Sequence, residues 1–267
     1  MVRAVSREML ERFEEAVLVD PDVLGVLFTG SLGRGTSDDF SDLDIYVWLT
    51  DEAYANVVYK SRELMSLLGE IKLWFPQETW YMKALVGPNW QRVDFAVRRR
   101  DELDAWPEMM GARIVKEFDG VLAGMVAAAE PEDATITLDE VRDEIVAQVD
   151  SQIYLAAHNA RGACWSAAGE ITYRLPVIYE LLARLRGRRS FGFRFVEQLL
   201  TPDEQNLLTA AWPVEPTRDE VRRAGRALWT WTRYVWAEAE RELGAPLGLE
   251  IDDAELLAAV DELYEGS

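Results

Sequence analysis

The most constraining feature of this sequence is a glycine-serine turn that joins two apolar runs. Residues 25–49 read GVLFTGSLGRGTSDDFSDLDIYVWL, so that a pair of aspartates follows the turn after a gap of ten residues. The apolar runs on either side of the gap each predict a buried β-strand. Because side chains alternate across a strand, Asp42 and Asp44 share one face, while Leu43 and Ile45 point to the core.

Two carboxylates on one strand face repel each other unless a cation lies between them. Mg²⁺ prefers carboxylate ligands together with phosphate oxygens, and Asp42 and Asp44 therefore predict a magnesium site. A third acid, Asp94, lies within Arg92–Val97 with apolar neighbours on both sides, which is typical of a neighbouring strand. Three acids on adjacent strands are able to hold two Mg²⁺ ions, one beside an attacking hydroxyl and one beside a triphosphate.

The turn itself supplies candidate phosphate ligands. Gly30 lets the backbone approach a phosphate closely, and Ser31 offers a hydroxyl and an amide as donors. Arg34 adds a planar guanidinium that neutralises phosphate charge. Alone, a Gly-Ser pair indicates only a turn, and an Asp-x-Asp indicates only a loop end. The two together, in this order, favour a functional site over a purely structural interpretation. We assign Asp38 and Asp39, in the intervening loop, to solvent or capping.

Composition excludes several other kinds of chemistry. The chain of 267 residues holds one Cys and one His, so no internal disulfide, Cys/His zinc site or paired-histidine site is possible. Its net charge of −20 argues against a protein that grips long nucleic acid. Charged residues run through the first fifteen positions and no apolar run is long enough to span a bilayer, so we expect no membrane segment and a cytoplasmic location.

The chain changes character near residue 130. Before it, short apolar runs predict strands at 23–28, 43–49, 70–75, 79–85 and 92–97, an edge strand at 113–118, and helices at 7–17 and 51–68. After it, capping-box spacings begin at Thr137 and Thr217, and Thr201 precedes a proline at a helix start. We therefore expect an α+β protein with a mixed-sheet domain over 1–130 and a helical bundle over 131–267 that completes the substrate cleft.

The motif resembles the signature of the DNA polymerase β-like nucleotidyltransferase superfamily: a Gly-Ser turn, a short gap, Asp-x-Asp, then a third acid on a later strand. Within it, the chain is similar to antibiotic nucleotidyltransferases of the lincosamide and aminoglycoside kinds. The resemblance is specific over roughly residues 20–100 and weak over the helical half. It implies transfer of a nucleoside monophosphate, AMP or another, from ATP or another NTP to a hydroxyl of a small molecule, and often a dimer.

The resemblance also implies residue roles. Asp42 and Asp44 would bind metal, Asp94 would be the third ligand and assist deprotonation of the acceptor, and Gly30, Ser31 and Arg34 would hold the triphosphate. The acidic chain suits a cationic acceptor. Two residues are candidates for the general base that deprotonates the acceptor: Asp94, or a Glu of the helical bundle. Alternative hypotheses are modification of a protein or a tRNA end, as in nucleotidyltransferase antitoxins, and a catalytically idle nucleotide-binding scaffold.

Other residues have both a structural and a functional interpretation. The aromatic side chains nearest the third acid either fill the sheet core or wall an acceptor pocket; they are Trp74, Trp80, Tyr81 and Trp90. Four side chains spaced four, three and four residues apart form a stripe along one side of a predicted helix, and this stripe either packs on a neighbouring helix or faces a ligand. It contains Tyr154, His158, Arg161 and Trp165. Arg174 is a further candidate cation for phosphate.

Overall fold

The computed structural model describes residues 7–38, 41–78 and 80–265. It confirms the predicted α+β class: a mixed six-stranded sheet with flanking helices, followed by a region that is helical. The chain forms two compact units, Met1–Pro131 and Glu132–Ser267.

The first unit is built on a sheet with strand order β3-β4-β5-β2-β1-β6. Only β2 and β5 are parallel; the other four neighbouring pairs are antiparallel. The strands are β1 Val23–Phe28, β2 Leu43–Leu49, β3 Ile71–Pro76, β4 Tyr81–Val86, β5 Gln91–Arg99 and β6 Arg113–Lys116. The predicted strands agree with these to within a few residues, and Thr79, the predicted start of one of them, lies outside the described residues.

The helices of the first unit flank this sheet. They are α1 Arg7–Val19, α2 Gly30–Gly33, α3 Asp51–Tyr54, α4 Val57–Ser66 and α5 Val121–Ala128, with a 3₁₀ turn at Pro107–Met109. The helix predicted over 51–68 is two helices, because Asn56 interrupts it with a backbone φ of −120°. Thr50 caps the first of them through its side chain, which accepts from the Ala53 amide.

The two faces of the sheet are covered differently. Leu43 and Ile45 are buried on the face that packs on α1 and α4, as the alternation predicts. On the opposite face, Trp48 and Leu27 pack with Leu122 of α5 in a smaller core. Asp44 of β2 lies on this second face, at the opposite end of the strand from Trp48, and Asp42 directly precedes the strand. The acidic end of β2 thus lies beyond this smaller core.

The second unit is a set of helices with its own core. They are α6 Leu138–Ala160, α7 Cys164–Leu185, α8 Val196–Leu199, α9 Pro202–Ala210, α10 Arg218–Leu243 and α11 Asp253–Glu265. The buried side chains of α6, α7 and α10 form the centre of this core. The long helices account for most of the packing, as expected when helical stability comes from buried apolar faces.

The capping predictions met different outcomes. Thr137 begins α6 with a complete capping box, and Thr201 begins α9 with another, followed by Pro202 at the first helical position. At Thr217 the threonine side chain accepts from the Glu220 amide, but Glu220 does not complete a box. Its carboxylate instead accepts from the Val214 amide (2.8 Å) and from Arg223, both outside the predicted motif.

The buried face of α6 includes several polar side chains. Gln148, Ser151 and Asn159 are buried, whereas Ile153 is 37% exposed. The buried polar groups find partners within the unit: the Ser151 hydroxyl donates to Glu170 (3.0 Å), and the Asn159 amide donates to the Arg218 carbonyl (2.9 Å). Burial of Ser151 and Asn159 is therefore tolerated because these hydrogen bonds are made inside the unit, whereas Oε1 of Gln148 has no hydrogen-bond partner among the described residues. Among the described residues, no helix has the length and apolarity that a membrane span requires.

Candidate active site

The three predicted acids converge at one end of the sheet. Asp44 of β2 lies directly opposite Asp94 of β5 in the parallel register, and Asp42 is two residues before Asp44 on the same face. Each of the three offers a carboxylate oxygen, and these oxygens all lie within 4.8 Å of one another. All three side chains are half-buried. The structure therefore brings together residues that are 50 positions apart in the sequence.

Gly30 forms the wall of this cluster. Its backbone φ is +58°, in the left-handed region, and an added Cβ would lie 2.2 Å from Oδ2 of Asp44. A side chain at position 30 would thus occupy the space of the carboxylate. The preceding residue ties the turn to β2, because the Thr29 amide donates to the Asp44 carbonyl (3.0 Å). The glycine of the predicted turn is therefore held against the second aspartate.

Ser31 lies in the short helix α2 that begins at this turn, and Arg34 is the residue that follows its last residue, Gly33. Ser31 is half-buried, and its carbonyl accepts from the Thr36 amide (2.9 Å). The Arg34 side chain is exposed, and its aliphatic stem lies beside Gly111, where an added Cβ would be 3.0 Å from Arg34 Cγ. The loop residue Asp38 is exposed and accepts from the Ser41 hydroxyl (2.8 Å), whereas Asp39 lies outside the described residues.

A cation that sequence reasoning missed already faces the carboxylates. Arg92 Nη2 donates to Asp94 Oδ2 (2.7 Å), and Arg92 Nε donates to Asp94 Oδ1 (3.4 Å). Arg92 Nη1 also lies 3.8 Å from Asp42 Oδ2. The hydrogen bond to Asp94 raises the pKa of Arg92. The signal was present in the sequence, because residues 92 and 94 share one face of a strand.

The neighbouring strand β4 contributes a tyrosine to the same cluster. Lys83 is the register partner of Asp94, and Tyr81, two residues earlier, lies on the same face. A hydrogen bond between the Tyr81 hydroxyl and Asp94 is one of the interactions that act on the pKa of Tyr81. Burial raises the pKa of Tyr81, and the charge of Asp94 and this hydrogen bond raise it further. At neutral pH Tyr81 is therefore a phenol that can donate to Asp94.

The aromatic residues predicted near the third acid divide between the two interpretations. Trp74 packs against the sheet core, and Trp90 is 59% exposed in a turn. Tyr81 contacts Asp94 as described, and Trp80 stacks under the guanidinium of Arg98 (4.8 Å from Cζ to the ring centroid). Only Tyr81 of the four has a described contact with the carboxylate cluster.

The candidate functional residues of the second unit either have partners within that unit or are exposed to solvent. Arg174 donates to Glu170 (2.7 Å), and its other nitrogen lies 3.5 Å from Glu144, so its charge is neutralised within the unit. In the stripe on α6 and α7, the rings of Tyr154 and His158 are in contact (centroids 4.0 Å apart), while Trp165 is 81% exposed. These residues have no described link to the carboxylate cluster.

The carboxylate cluster fits a divalent, oxygen-preferring cation. Its donors are the hard oxygen ligands that Mg²⁺ takes, and their partial exposure leaves room for water and phosphate oxygens. The absence of a Cβ at Gly30 leaves room for the Asp44 carboxylate itself. Three acids against the single charge of Arg92 also leave a net negative site, which a divalent cation would neutralise.

Comparison with known proteins finds similarity among solved structures alone. No protein-family model and no curated protein sequence matches the chain. An aminoglycoside 6-adenyltransferase from Bacillus subtilis is 13% identical over 97% of this chain and 98% of its own, with a TM-score of 0.45. A nucleotidyltransferase-like protein from Exiguobacterium sibiricum is 13% identical over 88% of this chain and 77% of its own, with a TM-score of 0.41.

A third similar structure is the E. coli CdnC:HORMA-deltaN complex, at 14% identity over 98% of this chain and 89% of its own, with a TM-score of 0.30. The chain thus resembles solved nucleotidyltransferases over most of its length. Because all three TM-scores are below 0.5, nothing about activity, metal or acceptor follows from these similarities.

Proposed function

We propose that this protein is a Mg²⁺-dependent nucleotidyltransferase that moves a nucleoside monophosphate from an NTP, AMP from ATP in the first instance, to a hydroxyl of a small molecule. The convergence of Asp42, Asp44 and Asp94 beside Gly30 carries the proposal. A cluster of carboxylates next to a glycine turn suits a triphosphate that binds together with Mg²⁺.

In this proposal, Asp42 and Asp44 hold the metal, with Asp94 as the third ligand to a pair of Mg²⁺ ions. When bound, Mg²⁺ supplies positive charge that neutralises the triphosphate and eases ionisation of the attacking hydroxyl. Gly30 allows the phosphates to approach the backbone, Ser31 donates to them, and Arg34 pairs with their charge. These roles are the ones that the sequence resemblance implies, and each can be tested by substitution.

The reaction balances without a further reactant. The acceptor oxygen attacks the α-phosphorus, a new P–O bond forms, and the bond to the β-phosphate breaks, so that pyrophosphate leaves with the electron pair. Asp94 takes the proton from the acceptor hydroxyl. Tyr81 positions the Asp94 carboxylate, and Arg92 does so until the metal binds. Most of the acceleration comes from positioning and from charge stabilisation, as in other phosphoryl transfers.

For the acceptor we infer a small, hydroxyl-bearing and cationic molecule, with aminoglycosides and lincosamides as the first classes to test. The net charge of −20 attracts cations and repels long nucleic acid. Incubation of the protein with ATP, Mg²⁺ and a mixture of metabolites and antibiotics, followed by mass spectrometry, tests this directly. A mass gain of one nucleotide identifies the acceptor, and no adenylylated product across an aminoglycoside and lincosamide panel rejects those classes.

Two alternatives make different predictions in the same experiments. Modification of a protein or a tRNA end would transfer label from ATP to a macromolecule in a lysate and to no small molecule. An idle scaffold would transfer nothing, and calorimetry would show no metal-dependent binding of ATP. The presence of all three acids favours the enzyme, because a scaffold has no need of them.

A further inference from the structure

The guanidinium of Arg92 lies against the carboxylates that would hold a metal cation. Both oxygens of Asp94 face its guanidinium, one through Nη2 at 2.7 Å and the other through Nε at 3.4 Å. A third nitrogen lies 3.8 Å from Asp42. One arginine thus contacts two of the three acids on two different strands.

The same oxygens cannot serve the guanidinium and a divalent cation equally well. An arginine fork and a metal both need the carboxylate lone pairs, and two positive charges a few ångströms apart repel each other. The Asp94 side chain is only 11% exposed, so its position is restricted, whereas the Arg92 side chain is 51% exposed and free to move into solvent. Arg92, and not Asp94, is therefore the partner that moves when a metal arrives.

We infer that Arg92 is a built-in counter-ion of the carboxylate cluster, which holds Asp94 and Asp42 together in the metal-free protein and is displaced when a divalent cation binds. This inference rests on the proposed function, because it requires the cluster to be a metal site. It makes Arg92 a positioning residue that lowers the apparent affinity for metal.

The test measures binding of Mn²⁺ alone, followed by electron paramagnetic resonance of the free ion, without nucleotide or acceptor. Arg92→Gln removes the competing charge and should bind Mn²⁺ roughly threefold to tenfold more tightly than the wild type, the range expected for loss of a half-exposed ion pair. Arg92→Lys keeps the charge and should stay closer to the wild type. The rise in Tm that Mn²⁺ produces should also be larger in Arg92→Gln.

Arg100→Gln is the matched control. It removes one positive charge just beyond the end of the same strand, where the Arg100 side chain is 64% exposed and 3.8 Å from Asp119. Its Mn²⁺ affinity should equal that of the wild type. If it tightens binding as much as Arg92→Gln does, the effect is one of net charge and the inference is wrong.

The remaining outcomes separate this inference from the proposed function. Unchanged or weaker Mn²⁺ binding in Arg92→Gln, with binding retained in the wild type, overturns the counter-ion role and leaves the metal site standing. No Mn²⁺ binding in either protein removes the metal site, and with it both proposals. Binding that appears only in Arg92→Gln supports the counter-ion role in its strongest form.

Discussion

Asp44 and Asp94 face each other directly across the only parallel strand pair of the sheet, with their Cα atoms in register. This pairing places two carboxylates on adjacent strands at the same height, and Asp42 joins them from the same face of β2. An arrangement of like charges at this distance is unfavourable unless cations or donors compensate it. In the metal-free protein the guanidinium of Arg92 supplies part of this compensation.

Substitution of the acids should separate activity from stability. Asp42→Asn and Asp94→Asn each remove a metal ligand of nearly equal shape, so nucleotide transfer should fall at least about a thousandfold. The Tm of Asp42→Asn in the absence of metal should be unchanged or slightly higher, because one of three repelling charges is gone. In Asp94→Asn this gain is offset by loss of the ion pair with Arg92. Asp104→Asn, on an exposed side chain outside the cluster, is the control for loss of a charge. Near-normal turnover in either cluster variant would refute the assignment of the three acids.

Gly30→Ala should damage the site through direct overlap. The new methyl group would lie 2.2 Å from Asp44 Oδ2, so either the carboxylate or the turn has to move. We expect transfer to fall by a factor of about 100, consistent with a displacement of about 1 Å at a reacting centre. Gly35→Ala is a matched control, because Gly35 also has a positive φ (+69°) but nothing within 4 Å of its added Cβ.

Both glycine variants should lose about 1–2 kcal/mol of stability from the left-handed backbone, measured by urea denaturation. In addition to this shared loss of stability, Gly30→Ala alone should lose activity and Mn²⁺ binding. Equal activity in the two variants would show that the close approach to Asp44 has no functional role.

Tyr81→Phe should leave the Asp94 carboxylate less firmly positioned without removing a metal ligand. The hydroxyl donates to the carboxylate in the wild type, and its loss leaves Arg92 as the described side chain that positions Asp94. Transfer should fall roughly threefold to tenfold, the size of the net contribution of one ordinary hydrogen bond. Tyr59→Phe, at a 75% exposed position, should have no effect. A loss as large as that of Asp94→Asn would mean that Tyr81 takes part in the chemistry itself.

Glu204 should make the second unit sensitive to acid. Burial acts to raise the pKa of Glu204, but hydrogen bonds from Arg186, Tyr234 and the Thr201 amide outweigh it and lower the pKa to about 2. A depressed carboxyl pKa contributes stability that is complete above the unfolded pKa of about 4.3 and is lost as the pH falls toward 2. Glu204→Gln should cost about 3 kcal/mol at pH 7, because it leaves the half-buried Arg186 without its carboxylate.

The measurement for Glu204 is urea denaturation between pH 7 and pH 3, followed by circular dichroism. The difference between wild type and Glu204→Gln should shrink as the pH falls, since protonation removes the same interaction in the wild type. Glu262→Gln, on an exposed side chain, should follow the wild type throughout. A constant difference at all pH values would contradict the lowered pKa.

Local sequence patterns predicted most of the elements for a simple physical reason. Strand alternation placed Leu43 and Ile45 in the core and Asp42 and Asp44 together on the other face, because a pleat leaves each side chain only one side to point to. The threonine-started helices followed from capping chemistry within four residues. The same local reasoning failed at Glu220, whose carboxylate accepts from Val214 and Arg223 instead of closing the box.

The sequence by itself determined the acids, the glycine turn and the faces on which they lie, since these depend on covalent geometry and on neighbours a few residues away. Only the tertiary structure decided that β5 pairs with β2 in a register that sets Asp94 against Asp44, and that Gly30 lies against the same carboxylate. It also decided that Arg92 reaches Asp42 on another strand. Contacts between distant segments depend on how the whole sheet is assembled, and no local periodicity encodes that order.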